Sequence, residues 1–442
     1  PPTGIDRPNV SVPDMPRPPT LPDIRVPIPQ VPASLPVQPG AQGLISTLPS
    51  GLGGSVGVAL RDTGRLVNDV RSLAADRVAR LAALAAEHPD VLDLDPAGAP
   101  VVRGQIVVAQ PSAALLAAAQ AAGFRILVEE TLSDLDLRLV TFSAPAGLST
   151  REAFERLASA APGDLLDYNH LYAPSGMLMA TAAQAVSPQG SAAPAGLRLG
   201  LIDTGVDAAH PALAGARIEQ RSFAPGGPLP RAHGTAVASL MAGQAAGFRG
   251  AAPGAGLDVA DVYGSGPTGG SAEAVVRGMA WLGARQTPVI NISLVGPPNR
   301  ILQAAVAALG RRGVLIVAPV GNDGPAAPPA YPASYPGVVS VTGVDGRNRL
   351  LIEAGRALKV DFAAPAADLQ AAMPGGGYGA VRGTSFAAPI VAGKLARGLV
   401  RPDPAAAAAS LNALARSARR SGRDFGRGLV GTELRNPAPA GL

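Results

Sequence analysis

The chain has no cysteine among its 442 residues. Disulfides and thiolate chemistry are excluded, so its stability must come from packing. Aromatic residues are scarce, at 3%. Lysine is almost missing: Lys359 and Lys394 are the two in the chain. The net charge of +5 is carried by arginines that stand singly or in pairs, as at Arg311-Arg312 and Arg419-Arg420. With no longer basic run and no aromatic platform between the arginines, no nucleic-acid partner is expected, and they read as a solvated exterior. No apolar run reaches the ~18 residues that a membrane-crossing helix needs, so no membrane span is expected.

What is present is ample core material, 47% hydrophobic, and a length that suits two or three domains. The first residue is Pro1. The expectation is an exported protein, secreted or periplasmic, whose leader has been removed.

Composition divides the chain. Residues 1–60 form a Pro/Gly-rich arm that favours extended backbone, with thirteen prolines in the first forty residues. Such an arm is either a tether or a segment that docks a protein partner. Residues 61–100 hold an amphipathic helix, with Leu66, Val70, Leu73, Val78, Leu81 and Leu84 at helical spacing, closed by His88 and Pro89. No chemistry is expected in it. Residues 101–172 read as β-α-β-β-α-β, a ferredoxin-like order. A capping box at Ser149 and Glu152 opens its second helix. Residues 173–195, rich in Ala, Ser, Gly and Pro, read as a flexible linker. From residue 196 to 434, near-continuous apolar strands such as "LRLGLIDTG", "VINISLVG" and "GVLIVAPVG" alternate with helices. That pattern means an α/β domain with a doubly wound parallel sheet covered on both faces. Residues 435–442 are a tail.

Three motifs in this second half carry chemistry. "LIDTGVD" puts Asp203 at the end of an apolar strand, "AHGTAVA" puts His233 at a helix start, and "RGTSFAAP" puts Ser385 at another. A serine hydroxyl needs a histidine to take its proton, and that histidine needs a carboxylate to fix its tautomer. Each motif alone also reads as an ordinary cap or turn. Together, in the order Asp, His, Ser, they resemble the subtilisin-like serine peptidases, the subtilase family, over about residues 196–434. The resemblance implies a serine endopeptidase with a subtilisin-like doubly wound sheet, and protein or peptide as substrate. It also implies that Asn322, in "VAPVGNDGP", supplies an amide which joins the Ser385 N–H in an oxyanion hole. In its own right, Asn before Asp-Gly is a good turn former.

By the same resemblance, substrate adds as a strand between Ser293, Leu294, Val295 and Gly296 on one side and Gly269 and Gly270 on the other. The first specificity pocket departs from the usual family pattern. Val295 stands where glycine is common, Pro319 and Val320 replace small residues before Gly321, and Ala330 replaces a glycine on the floor. A narrowed pocket is expected. Asp323 either biases its rim toward basic or polar residues or is a turn residue facing water. The family often binds calcium. Asp207 and Asp345 are candidate ligands for structural calcium, but no loop has dense acidic spacing, so no metal site and no cofactor is assigned.

Family members resemble one another in carrying a prodomain before the catalytic domain. Residues 101–172 fit that role, as intramolecular folding chaperone and then inhibitor of a zymogen. The tail "NHLY" would enter the cleft between "SLVG" and "TGGS". Tyr172 would fill the first pocket, and autoprocessing would cut Tyr172–Ala173. If tyrosine does not fit, the cut falls near Met177 or Met179. The alternatives are a permanent structural domain at 101–172 and, for the whole chain, a non-catalytic scaffold that holds a partner through its proline-rich arm.

Overall fold

The computed structural model describes residues 66–174, 176–180, 196–355 and 357–435. The proline-rich arm and most of the linker lie outside them. All described residues fall within the unit Pro49–Leu442.

Helix α1 spans Leu66–Glu87. It ends where the His88 carbonyl accepts the N–H groups of Val91 and Leu92. Its last turn packs Leu84 and Ala85 on Val91, Leu92, Val102 and Leu171. Strand β1 (Leu92–Leu94) is followed by β2 (Pro100–Ala109), α2 (Ala113–Ala121), β3 (Arg125–Leu132), β4 (Leu137–Ser143), α3 (Thr150–Ala160) and β5 (Leu165–His170). The strands pair antiparallel in the order β3-β4-β2-β5, with β1 on the start of β2. Ser112 caps α2 through the Leu115 N–H, and Ser149 with Glu152 closes a capping box on α3.

Both faces of this sheet are apolar, because alternate residues of one strand point to opposite sides. Ile106, Val108, Val140, Phe142 and Leu166 meet Leu115 and Ala119 of α2 and Ala153 and Leu157 of α3. Val107, Ala109 and Leu139 face the other way and join a core shared with the second half of the chain. The module therefore buries its second face against a partner, and the partner is the same chain.

Two short strands follow, β6 (Ala173–Pro174) and β7 (Met177–Ala180). The second half then contributes β8 (Arg198–Asp203), β9 (Ile218–Ser222), α4 (Ala232–Ala242), the small hairpin β10 (Gln244–Ala245) and β11 (Phe248–Arg249), β12 (Gly256–Asp261) and α5 (Ala272–Ala284). Next come β13 (Val289–Ile292), β14 (Leu294–Val295), α6 (Arg300–Arg311), β15 (Leu315–Pro319), β16 (Val339–Val344) and β17 (Phe362–Pro365). The hairpin β18 (Leu369–Met373) and β19 (Gly377–Arg382), α7 (Thr384–Ala396) and α8 (Pro404–Ser417) complete it.

Seven strands form one parallel sheet in the order β17-β16-β15-β13-β8-β12-β9. Alternation again sets the layers. Leu199, Leu201, Val259, Val317 and Val341 face a core with α4 and α7. Ile202, Ala260, Ile290, Ile292 and Ile316 face α5 and α6 and, beyond them, the first module. Since every strand runs the same way, the ends of β8, β13 and β15 share one edge with the starts of α4 and α7. Sites in such sheets form at that edge.

Candidate active site

Asp203 is the last residue of β8 and is fully buried. Its Oδ1 accepts the Thr204 N–H at 2.7 Å, which holds the carboxylate in place. His233, one residue into α4, sets Nδ1 at 2.8 and 2.9 Å from the two Asp203 oxygens. An ionised carboxylate only accepts, so Nδ1 carries the proton and Nε2 is left with a lone pair. That Nε2 is buried and has no hydrogen-bond partner among the described residues.

Ser385 is buried in the first turn of α7, behind the N-cap Gly383. Pro389 lies four residues on and has no N–H, so the Ser385 carbonyl is not used by the helix. Ser293 takes it instead, its Oγ donating at 3.0 Å. In return the Ser385 hydroxyl donates to the Ser293 carbonyl at 3.2 Å. This reciprocal pair ties α7 to the end of β13. It leaves the hydroxyl turned to Ser293 rather than to His233.

Asn322 follows β15. Its Oδ1 accepts the Thr384 N–H at 2.8 Å, while its Nδ2 is buried without a hydrogen-bond partner among the described residues. At the pocket behind it, a Cβ on Gly321 would lie 3.4 Å from the Ala330 Cβ and 3.8 Å from a Val295 methyl. Gly321, Val295 and Ala330 thus converge on one small space. Pro319 is buried in β15 opposite Val341.

The chain's own segment 171–180 crosses this edge. Leu171 bridges Ser271, and the Tyr172 N–H donates to the Gly270 carbonyl at 2.8 Å. Ala173 pairs with Val295 and Pro174 with Leu294, antiparallel. Met177–Ala180 then adds to the β18–β19 hairpin as a third strand, Met177 opposite Arg382 and Met179 opposite Ala380. Between them, a Cβ on Gly383 would lie 2.7 Å from the Gly176 Cα and 3.0 Å from Asn322 Nδ2. Only glycine at 383, with φ 136°, lets the segment pass there.

The register differs from the one read in the sequence. Tyr172 was expected over the serine, in the first pocket. Its carbonyl is instead held by the Tyr263 hydroxyl at 2.6 Å, and its ring lies against Gly296. Among the described residues, the crossing backbone comes against Gly383 at Gly176. The physical reason is space: the gap between Val295, Gly321 and Ala330 is small, whereas Gly296 offers a bare face to a large ring. Gly269 also differs, since a Cβ there would meet Tyr263 rather than the crossing strand. The first part of the expected flexible linker, 173–174 and 177–180, is paired strand.

Several residues of the site escaped sequence reading. Tyr263 sits between a buried strand and a glycine-rich turn, a position that carries no motif. Helix α1, expected to hold no chemistry, sends Arg77 and Arg80 to Asp323 at 3.0 and 2.7 Å. Asp323 is therefore ion-paired, not a turn residue facing water. The candidate calcium ligands are used otherwise. Asp207 accepts the N–H groups of Ala209 and Gly375, and Asp345 those of Arg347 and Arg349.

A buried serine, a histidine with a free Nε2, a carboxylate behind it and an unspent amide donor can together carry acyl transfer, which defines the class as serine hydrolases. The family described as "Subtilase family" matches residues 195–427, more than half of the chain, and the chain belongs to that family. Its catalytic domain is that of a serine endopeptidase. Subtilisin Savinase of Lederbergia lenta is 36% identical over 210 residues, 46% of this chain and 75% of that protein. Subtilisin E of Bacillus subtilis (strain 168) is 34% identical over 214 residues, 45% of this chain and about half, 54%, of that protein. Among solved structures, fervidolysin from Fervidobacterium pennivorans, a keratinolytic enzyme related to subtilisin, is similar in fold, with a TM-score of 0.63 at 20% identity. That likeness covers 79% of this chain and 63% of the other. No helix among the described residues is long and apolar enough to cross a membrane.

Proposed function

We propose that the protein is a serine endopeptidase held as a precursor, in which residues 101–172 are a ferredoxin-like prodomain acting as chaperone and inhibitor. We further propose that the precursor cuts itself at the bond entering Gly176, Ser175–Gly176. The observation that supports this reading is the crossing segment: the chain lies in its own cleft as a strand, paired on Gly270 and on Val295 and Leu294 before the serine, and on β19 after it.

The docking of the module favours an inhibitor. Asn169 Oδ1 accepts the Glu273 N–H at 3.0 Å at the start of α5. Asp167 Oδ2 accepts the Arg300 N–H at 2.7 Å at the start of α6. Helix starts leave N–H groups unsatisfied, and the module supplies acceptors for two of them. Thr141 donates to Glu273, and Glu130 pairs with Arg277 across the same face. A large domain with many non-local contacts folds slowly, and a prebuilt sheet on α5 and α6 lowers that barrier.

In the reaction, Ser385 Oγ rotates to His233 Nε2, gives up its proton and attacks the carbonyl carbon of the scissile bond. The oxyanion takes hydrogen bonds from Asn322 Nδ2 and the Ser385 N–H. His233 returns the proton to the leaving amine, and the acyl-serine is hydrolysed by water through the same steps. Asp203 stabilises the imidazolium throughout. Export is part of the same proposal, since a capped endopeptidase is suited to activation outside the cell; fractionation of the producing cells checks it.

The test is incubation of wild-type and Ser385→Ala protein with N-terminal sequencing over time. Wild type should yield a new N-terminus Gly-Met-Leu-Met, and the variant should stay whole. Ala-Pro-Ser-Gly would restore the cut at Tyr172–Ala173. Active enzyme that keeps 101–172 attached would make the module permanent. A protein that never labels at Ser385 with an organophosphonate probe, even after loss of the module, would favour the non-catalytic scaffold.

A further inference from the structure

The pocket that receives Tyr172 does more than accept a large ring. The ring lies on Gly296, where a Cβ would come within 2.5 Å of it. The side chain is 1% exposed. At its end the Tyr172 hydroxyl donates to the Pro297 carbonyl at 2.8 Å. The nearby Tyr335 is occupied elsewhere: its hydroxyl accepts the Asn299 N–H at 2.6 Å and donates to the Asn299 carbonyl at 2.8 Å. Burial pushes the phenols of Tyr172 and Tyr335 up, so both keep their protons and remain donors.

We infer that this pocket reads the hydroxyl, so that the peptidase selects tyrosine over phenylalanine at the fourth residue before the bond it cuts. The inference rests on the proposal that segment 171–180 lies in the cleft as a substrate does. A phenylalanine would fill the same volume against Gly296. It would leave the Pro297 carbonyl without the donor that Tyr172 supplies. A site built to bond a hydroxyl discriminates strongly against the analogue without one, because its own polar groups are stranded. The greater hydrophobicity of phenylalanine works in the other direction and reduces the margin. The expected preference is about tenfold. Leu at the position loses the ring as well and should be poorer than Phe.

Two measurements on the full chain decide it. The first is the rate of self-cleavage of wild type, Tyr172→Phe and Tyr172→Leu, with the cut located by mass spectrometry. The expected result is a fall of about tenfold for Tyr172→Phe with the cut still at Gly176, and a larger fall for Tyr172→Leu. The second uses the Ser385→Ala background, in which no cleavage is needed, and follows thermal unfolding of the same variants. Tyr172→Phe should lower the midpoint, because it removes the donor to the Pro297 carbonyl. If the chain does not cut itself at all, the processing proposal fails while the unfolding series still decides whether the pocket reads the hydroxyl. Cleavage of Tyr172→Phe as fast as wild type, or an unchanged midpoint, overturns the inference.

Discussion

Asn322 gives its side-chain oxygen to the backbone N–H of Thr384 at 2.8 Å, and that single bond decides what the rest of the amide can do. With the oxygen spent, the NH2 end is left as a donor, buried beside Gly383 and without a hydrogen-bond partner among the described residues. Asn322→Ala should therefore lower kcat by roughly 100- to 1000-fold while KM changes little, because the oxyanion exists only near the transition state. Steady-state kinetics on a peptide substrate check this. A change confined to KM would remove Asn322 from the oxyanion hole.

How much of this was legible in the sequence follows from what each residue depends on. Asp203, His233 and Ser385 sit at ends of strands and helices that the apolar pattern announces, and their chemistry needs neighbours that short motifs carry with them. The β-α-β-β-α-β order was legible for the same reason. The register of the crossing segment was not. It depends on whether a ring fits between Val295 and Ala330 or on Gly296, a matter of side-chain volume across distant parts of the chain. The Arg77 and Arg80 contacts with Asp323 join residues more than 240 positions apart, and no local pattern encodes them. Gly296 and Pro297, which receive the Tyr172 ring and hydroxyl, come from a short segment that looks ordinary in isolation.

The Asp323 pair has a consequence for the precursor. Arg77 and Asp323 are mostly buried, whereas Arg80 is half exposed and screened by solvent. Exposed pairs contribute about 0.2–1 kcal/mol, so the tie is a modest one. Arg77→Ala with Arg80→Ala should weaken inhibition of the freshly cut enzyme by its prodomain a few-fold, and 0.5 M salt should mimic part of the effect. Residual activity immediately after processing is the readout. Asp323→Asn should match the double arginine variant. If neither the variants nor salt changes that activity, α1 has no share in holding the cleft shut.

Val295 and Ala330 both face the space behind Gly321. Val295→Gly removes an isopropyl group from its wall and should broaden the residue accepted immediately before the cut toward large aromatic side chains. The gain should be about tenfold or more in kcat/KM for Phe over wild type, given ~0.8 kcal/mol for each buried CH2 that the pocket can newly accommodate. Profiling against a peptide library tests it. An unaltered profile would mean that Val295 acts only as a strand partner of Ala173.

The interface between module and catalytic domain should also depend on pH, with a sign that the carboxyls fix. Burial pushes the Asp167 carboxyl above its ordinary 3.8, against the pull of His170 and of the Arg300 and Tyr168 N–H groups. Burial likewise raises Glu273 above 4.5, although Arg277 and Thr141 offset it in part. A carboxyl raised in the folded state binds its proton more tightly there. Its contribution is complete below the unfolded pKa and is lost as pH rises through the folded value. Asp95 behaves in the opposite way. Burial works to raise it, but hydrogen bonds from His170, Ala99 and Ala97 hold it below 3.8, so its contribution is lost only as pH falls beneath that value. The two windows are separate. Between pH about 4 and 6, the unfolding midpoint of Ser385→Ala precursor should carry a component that declines with rising pH, from Asp167 and Glu273. Asp167→Asn keeps an oxygen for the Arg300 N–H but cannot titrate. Its midpoint should fall less steeply across that range, with the curves converging on the acid side rather than the neutral one. His170 Nδ1 lies 3.9 Å from Asp167 and also faces Asn299, so the comparison is made between variants that retain both. Parallel curves would show that the Asp167 carboxyl is as well solvated when docked as when free, and that it caps α6 without a proton ever being drawn to it.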